Sequence, residues 1–213
     1  MASSSSLAEM AVAEKVQLML GTRKGRLEFE GTMTVSATLI ELALLGRISS
    51  IPNRALFAGG SPRKILAVDS TPTGDAVLDA VLIPMSERGK PWVTHRCMFA
   101  LAGNASRAVH ARLESRGLVQ TIGTYPSLSG YLEITDHVVF DELRAELGRV
   151  RSTPEQVSDP RTGAFIDVLR NGVDSHSGEQ GLHPYLRWEW YPAGVRATVQ
   201  AILQAERIQF TAG

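Results

Sequence analysis

The residue types that most often perform catalysis or bind metals do not form a recognisable pattern in this chain. No two of its five histidines have the four-residue spacing around an acid that marks a helical zinc site (His95, His110, His137, His176 and His183). The chain also contains no Cys-x-x-Cys pair, no Gly-x-Ser-x-Gly nucleophile turn and no Gly-x-x-x-x-Gly-Lys-Ser/Thr phosphate loop. Asp75 and Asp79 are four residues apart, but we expect Asp75 to favour a helix N-terminus and Asp79 to face water. The sequence therefore predicts a protein that is not an enzyme and holds no metal or cofactor.

Basic side chains are concentrated in one part of the chain. Residues 86–116 carry six of them against only Glu87 and Glu114 (Arg88, Lys90, Arg96, Arg107, Arg112 and Arg116), and Arg54, Arg63 and Lys64 form a second basic stretch. Arg112 and Arg116 are one helical turn apart, and Arg107 lies close to the same face. This pattern indicates either a site for phosphate-bearing head groups or a solvated face whose charges are neutralised by acids elsewhere in the fold.

Two groups of apolar side chains are candidates either for contact with a membrane or for packing in the core. Tyr125 and Leu128 stand among small residues at the tip of a predicted hairpin, where they either enter a membrane interface or pack against the fold. Four aromatic side chains crowd residues 185–191, and core packing is the commoner role of such a group (Tyr185, Trp188, Trp190 and Tyr191).

The composition is that of a globular protein. The chain has 213 residues, is 44% hydrophobic, and carries 22 basic and 22 acidic residues, so its net charge is zero. Binding to nucleic acid or to an anionic membrane would therefore need a local patch. Cys97 is the only cysteine and is expected to be buried. Residues 1–6 are predicted to be a disordered lead, followed by one domain over 7–213. Without a signal-like or membrane-spanning segment, we expect a cytoplasmic protein, with peripheral contact to the inner face of a membrane still open.

The hydrophobic periodicity predicts a mainly α fold, a compact multi-helix single domain with a projecting β-hairpin. Helices are expected at 7–20, 32–45, 92–101, 105–116, 138–150 and 192–208, with one more capped by Thr71 or Thr73 and another that begins at Pro160. We expect Pro84 to end the first of these two, Phe99 to be available for the core, and Asn171 to begin a polar loop. The helix over 32–45 is apolar on nearly every side and is predicted to lie at the centre of the core, with Gly46 as its left-handed cap. Strands are expected at 47–49, 65–68, 118–122 and 131–134, and a turn with a short strand at 22–29.

Four motifs in this order resemble the Golgi phosphoprotein 3 family, and in particular its shorter bacterial members. They are Leu45-Gly46-Arg47-Ile48 after the leucine-rich helix, Pro72-Thr73-Gly74-Asp75, Leu113-x-x-Arg116-Gly117-Leu118, and Asp159-Pro160-Arg161-Thr162. The resemblance implies a mostly helical domain with an amphipathic hairpin at one side. Known eukaryotic members bind phosphatidylinositol 4-phosphate in a shallow basic pocket, attach to Golgi membranes and hold the tails of glycosyltransferases.

Transferring that pocket to this chain leaves few cations. The family's tryptophan falls near Arg26, one arginine falls near Val35, and two more fall near Gly103 and Ser106, with Arg107 adjacent. We therefore nominate Arg26, Arg107 and Arg112 as lipid- or anion-binding residues, with Tyr125 and Leu128 as membrane-contact residues of the hairpin.

The favoured hypothesis is a non-enzymatic peripheral membrane adaptor that binds anionic phospholipid through a basic face next to the hairpin. Cytosolic tails of membrane proteins are the further partners that the resemblance implies. The alternative is a winged-helix nucleic-acid binder, in which residues 105–116 form the recognition helix and the hairpin forms the wing. The zero net charge argues against this alternative.

Overall fold

The computed structural model describes residues 7–20, 27–53, 63–122, 131–177 and 188–211. Within these ranges the chain forms seven α-helices, five strands and three short 3-10 turns. The helices are α1 (Val12–Leu20), α2 (Leu27–Leu44), α3 (Ala76–Arg88), α4 (Thr94–Ser115), α5 (His137–Ser152), α6 (Pro160–Ser177) and α7 (Arg196–Thr211). The strands are β1 (Ile48–Pro52), β2 (Arg63–Ala67), β3 (Trp92–Val93), β4 (Val119–Ile122) and β5 (Tyr131–Ile134). The predicted mainly α class is confirmed.

Helix α2 forms the centre of the core, as its all-round apolar sequence predicts. Val35, Leu39 and Ile40 are fully buried, and α1, α3, α4, α6 and α7 all pack against this helix. It ends as expected at Gly46, whose φ of 71° is the left-handed conformation that glycine adopts at low cost. The N–H of Arg47 donates to the carbonyl of Leu42 at 2.9 Å, and the N–H of Gly46 donates to that of Ala43 at 3.0 Å. This pair of hydrogen bonds closes the helix as a Schellman motif.

Helices α3 and α4 are both longer than the sequence predicts. Pro84 lies inside α3, which continues to a left-handed Gly89, because Val81, Leu82 and Met85 keep this helix anchored in the core on both sides of the proline. The two helices expected at 92–101 and 105–116 are one helix, α4, preceded by the short strand β3. The buried stripe of α4 runs without interruption past Gly103, so nothing in the packing requires a break there.

The strands form two small antiparallel sheets. In the first, of order β1-β2-β3, Ile48 pairs with Ala67 and Ile65 pairs with Trp92, which confirms the predicted pairing near Ile48. In the second, β4 pairs with β5 from Val119 opposite Ile134 to Ile122 opposite Tyr131, which confirms the hairpin. The tip of the hairpin, with Tyr125 and Leu128, lies outside the described residues.

Several other boundaries differ from the prediction. The first helix divides into a 3-10 turn (Leu7–Glu9) and α1. Helix α2 begins at Leu27, where a turn and strand were expected, and α6 continues through Asn171 to Ser177. The side chain of Asn171 explains this extension, since it is buried and donates to the carbonyl of Leu203 and to Glu206 Oε2. Trp190 and Tyr191 are buried, as predicted for the aromatic segment, and so is Cys97.

Candidate anion-binding surface

Arg112 is held by a carboxylate of the neighbouring helix. Its Nη1 and Nη2 donate to the two oxygens of Asp75, each at 2.7 Å, so the contact is bidentate. Asp75 is also the N-cap of α3 and accepts from the backbone N–H groups of Val77 and Leu78. Burial by itself raises the pKa of Asp75, but the Arg112 hydrogen bonds and the capping hydrogen bonds outweigh it and lower the pKa below its ordinary 3.8. An anionic ligand would have to displace this carboxylate to reach Arg112.

A second carboxylate, Glu14 of α1, faces the same pair of arginines. Its side chain is fully buried, its Oε2 lies 3.7 Å from Arg112 Nη1, and its Oε1 lies 3.5 Å from Arg116 Nη1. Glu14 Oε2 also accepts from the N–H of Ala11 at 2.8 Å, which fixes the start of α1. Burial raises the pKa of Glu14, and the Ala11 N–H and the two guanidinium groups offset this only in part. Arg112 and Arg116 are therefore directed toward the interior of the fold.

A fourth ion pair joins α6 to α2 next to these contacts. Arg161 Nη2 lies 2.5 Å from Glu41 Oε1 of α2 and donates to the carbonyl of Met10 at 3.1 Å. The other oxygen of Glu41 accepts from the N–H of Val12 at 3.0 Å. Both partners of the pair therefore bind the backbone next to the start of α1, which locks this segment between α2 and α6.

The resulting ionic cluster joins five helices through three carboxylates and three guanidinium groups (Glu14, Glu41, Asp75, Arg112, Arg116 and Arg161). Three of its members come from the motifs that carry the family resemblance, namely Asp75, Arg116 and Arg161. The motifs therefore mark contacts that hold the helices together. The clue in the sequence was an acid in one motif and an arginine in each of two others, but the pairing itself was not predictable from their spacing.

Asp79 also differs from its prediction. Its side chain is only half exposed, and Oδ1 accepts from the N–H and the hydroxyl of Thr73, each at 2.7 Å. Its Oδ2 accepts from the N–H of Gly74 at 3.2 Å. Asp79 therefore folds the Pro72-Thr73-Gly74 turn onto α3 instead of facing water.

Arg107 has a different environment from Arg112. It is exposed on α4, and its Nη2 donates to Asn104 Oδ1 at 2.6 Å. Among the described residues, it forms no ion pair with a carboxylate. Of the nominated cations that the structure describes, Arg107 is therefore the one that is exposed to solvent and able to bind a ligand. Arg26 lies outside the described residues.

The outward side of α4 forms a continuous surface around Arg107, which we call the α4 face. It consists of exposed residues at helical spacing (Arg96, Phe99, Ala100, Gly103, Arg107 and Ala111). Phe99, expected to be available for the core, is 80% exposed instead. Arg96 and Arg107 are eleven residues apart, which is about three turns and roughly 16 Å along one side of the helix. The α4 face therefore presents an unburied aromatic ring between two cations.

Two contacts bring the β4–β5 hairpin to the C-terminal end of the α4 face. Glu114 Oε1, on the same side of α4, accepts from the N–H of Thr121 at 3.0 Å. The hydroxyl of Thr135 donates to the carbonyl of Gly117 at 2.7 Å. The described strands of the hairpin therefore start beside the surface that carries Arg107.

The positions to which the family's pocket was transferred are mostly uncharged and inaccessible here. Val35 is fully buried, and Ser106 is 3% exposed. Gly103 is exposed, and a Cβ placed on it would lie 3.5 Å from Arg107 Nη1. The Arg107 guanidinium thus lies beside the position where the family carries an arginine. None of the described positions transferred from the pocket supplies a second cation.

Other kinds of site find no support in the part of the chain that the structure describes. None of the described helices combines the length and apolar character needed to cross a bilayer. The described ranges also hold no group of three or more His, Cys, Asp or Glu side chains arranged to bind a metal ion. His110, a candidate metal ligand by type, is buried in α4, and burial lowers its pKa to about 4.

Comparison with known proteins gives a single finding on identity. No curated protein matches the chain. The model of one family, described as Golgi phosphoprotein 3, matches residues 12–176. This range runs from the start of α1 almost to the end of α6, and it includes the ionic cluster, the α4 face and the hairpin. The four motifs and this match agree, and the chain belongs to the Golgi phosphoprotein 3 family.

Proposed function

We propose that this protein is a non-enzymatic peripheral membrane adaptor that binds anionic lipid head groups through the α4 face. The observation that carries the proposal is the exposure of Phe99 between Arg96 and Arg107. An exposed aromatic ring gains free energy when it enters the interfacial region of a bilayer, and arginines beside it gain from the negative surface potential. Membership of the family supports the same direction, since its known eukaryotic members bind a phosphoinositide and attach to membranes.

The proposal gives the nominated residues different roles. Arg107 contacts the lipid together with Arg96, which belongs to the basic stretch of the sequence but was not among the nominated binding residues. Arg112 stabilises the fold through Asp75, because two nitrogens of its guanidinium already donate to the two carboxylate oxygens of Asp75. Arg26, Tyr125 and Leu128 remain predicted contacts. The protein would then work at the cytoplasmic face of a membrane, where the tails of membrane proteins are available as further partners.

Co-sedimentation with vesicles tests the proposal directly. Vesicles of phosphatidylcholine alone are compared with vesicles that also contain about 30% phosphatidylserine, at low and high salt. A third preparation replaces phosphatidylserine with phosphatidylinositol 4-phosphate at equal total charge. We expect recruitment to anionic vesicles that weakens with salt, and preference for the third preparation would show that the head group is recognised as well as its charge.

Variants of the α4 face connect binding to named atoms. Each arginine near an anionic surface contributes about 1 kcal/mol, so Arg96→Gln with Arg107→Gln should weaken binding by roughly 30-fold. Phe99→Ala should cost about 1.5–3 kcal/mol of membrane affinity, the range for burying a large apolar side chain. The matched controls are Arg149→Gln on α5 and Ile83→Ala on α3, which change an exposed cation and an exposed apolar residue outside the α4 face.

Equal recruitment of the unchanged protein to neutral and anionic vesicles would refute the proposal. Loss of binding in the controls as large as that in the α4 variants would refute the assignment of the surface. A gel shift at low salt with duplex DNA tests the winged-helix alternative, and the absence of a retarded species would exclude it. In the structure, the recognition helix expected at 105–116 is not a separate helix but the second half of α4.

A further inference from the structure

The three-stranded sheet has an outward side that carries apolar residues. Ile48 and Ile65 point inward, being 3% and 0% exposed, so the alternate residues of β1 and β2 lie on the other side. Among these, Ile51 is 38% exposed and lies opposite Lys64, while Leu66 is half-buried. We call this side the outer sheet face.

The outer sheet face extends beyond the ends of the regular strands. Val68 continues the alternation of β2, because its N–H donates to the carbonyl of Arg47 at 2.8 Å, and it is 56% exposed. On the other edge, Val93 of β3 pairs with Lys64. Three neighbouring strands therefore place Ile51, Val68 and Val93 on one surface.

The charges on and around this face are mainly positive. Lys64 lies within it, and Lys90 stands in the segment just before β3. Neither of these two lysines forms an ion pair among the described residues. Arg47 is paired with Asp69 at the far end. The surface is thus apolar with unpaired cations at its β3 edge.

This edge is directly connected to the α4 face. Val93 ends β3, Thr94 begins α4, and Arg96 follows within the first helical turn. Thr94 fixes the junction, since its hydroxyl donates to the carbonyl of Arg63 in β2 at 2.9 Å. Arg96 therefore stands close to Lys64, about one strand spacing and one helical turn away.

We propose that the outer sheet face is a second contact with an anionic bilayer, continuous with the α4 face. The inference rests on the proposed function and adds a surface to it. A surface that combines apolar side chains with neighbouring cations suits the interfacial region of a bilayer. There the apolar side chains reach the upper part of the acyl chains, and the cations bind the lipid phosphates. The two surfaces together would fix the orientation of the protein on the membrane, because the bilayer would then contact the protein at two places, and the middle of α5 belongs to neither.

Single-cysteine reporters test this inference. Cys97 is fully buried, and burial raises the pKa of its thiol to about 12, so it will not be labelled in the folded protein. Val68→Cys, Ala100→Cys and Ala145→Cys place one reactive thiol on the outer sheet face, on the α4 face and in the middle of α5 respectively. Each is labelled with a polarity-sensitive fluorophore and mixed with vesicles containing phosphatidylserine and a brominated lipid as quencher.

We expect quenching at positions 68 and 100 and none at position 145. Quenching at 100 without quenching at 68 would overturn the second contact while leaving the proposed function intact. Quenching at all three positions would indicate adsorption without orientation and would also overturn it. If no position is quenched and the protein does not sediment with the vesicles, the proposed function itself fails.

A charge variant gives an independent readout. Lys64→Gln with Lys90→Gln should weaken binding to anionic vesicles by about fivefold for each lysine removed. Arg144→Gln with Arg149→Gln, on exposed positions of α5, removes the same charge elsewhere and should change binding by less than twofold. An equal loss of vesicle binding in the two double variants would overturn the inference, because binding would then depend on the net charge of the protein and not on where the charge lies. An unchanged melting temperature for each variant shows that the folded state is being compared.

Discussion

Replacement of Asp75 by asparagine tests whether the bidentate contact with Arg112 stabilises the fold. Asparagine is as good an N-cap as aspartate, so Asp75→Asn keeps the capping of α3 and removes the charge that Arg112 binds. The side chains of Asp75 and Arg112 are 32% and 20% exposed, which places the pair between a surface and a buried ion pair.

The magnitude follows from that intermediate position. Exposed pairs contribute about 0.2–1 kcal/mol, and breaking a buried pair costs about 3–5 kcal/mol, so we expect Asp75→Asn to lose about 1.5–3 kcal/mol. Asp75→Ala also removes the cap and should lose about 1 kcal/mol more. Chemical denaturation at neutral pH measures both, and Asp141→Asn on the exposed side of α5 is the matched control.

The pH dependence provides a second check on the same contact. The pKa of Asp75 is lowered in the folded protein, so its contribution to stability is fully present above the ordinary 3.8 and is lost as the pH falls through the lowered value. The stability difference between the unchanged protein and Asp75→Asn should therefore be constant near neutral pH and disappear in acid. A difference below about 0.5 kcal/mol at neutral pH, the usual range for surface substitutions, would refute the reasoning.

The remaining predictions concern α6 and Cys97. Burial raises the pKa of Asp167 to about 7, although Tyr191 donates a hydrogen bond to it at 2.8 Å; its contribution to stability therefore falls as pH rises from 3.8 to about 7. The free energy of unfolding of the unchanged protein should therefore fall by about 2–3 kcal/mol between roughly pH 5 and 8, and Asp167→Asn should remove this fall. Denaturation at several pH values measures it, and the same pH dependence in the two proteins would contradict the prediction. Gly163→Ala should cost about 1–3 kcal/mol, because its Cβ would lie 2.9 Å from the ring of Trp190, and tryptophan fluorescence during unfolding reports both the stability and the displaced ring. Cys97 should not react with a thiol reagent at neutral pH until the protein unfolds, and rapid labelling of the native state would show that the site is open.

The roles given to two arginines can be separated by measuring stability and binding together. Arg112 is engaged by Asp75 and Glu14, whereas Arg107 lies on the exposed α4 face, donates to Asn104 and forms no ion pair within the described ranges. Five residues correspond to a rotation of about 140° around α4, so the two arginines lie on different sides of the helix and the expectation that they share one face is wrong. The difference arises because α1 and α3 pack against one side of α4 and bring their carboxylates to Arg112.

The helical class and the glycine-capped ends of α2 and α4 were predictable because they depend on local chemistry. The all-round apolar sequence of α2 requires burial, and Gly46 and Gly117 supply the left-handed conformation that closes α2 and α4. The local signals failed where packing outweighed them. Pro84 lacks one hydrogen bond, but the buried side chains on both sides of it keep α3 continuous.

By itself, the sequence determined that the chain folds into helices around α2, and that its cations are concentrated in and before α4. Only the tertiary structure decided which of these cations are available and which apolar residue is left outside. The physical reason is that charge neutralisation depends on distance in space: acids from α1 and from the N-terminus of α3 reach Arg112 and Arg116, while Phe99 and its flanking arginines lie on the side of α4 where the described helices leave them exposed.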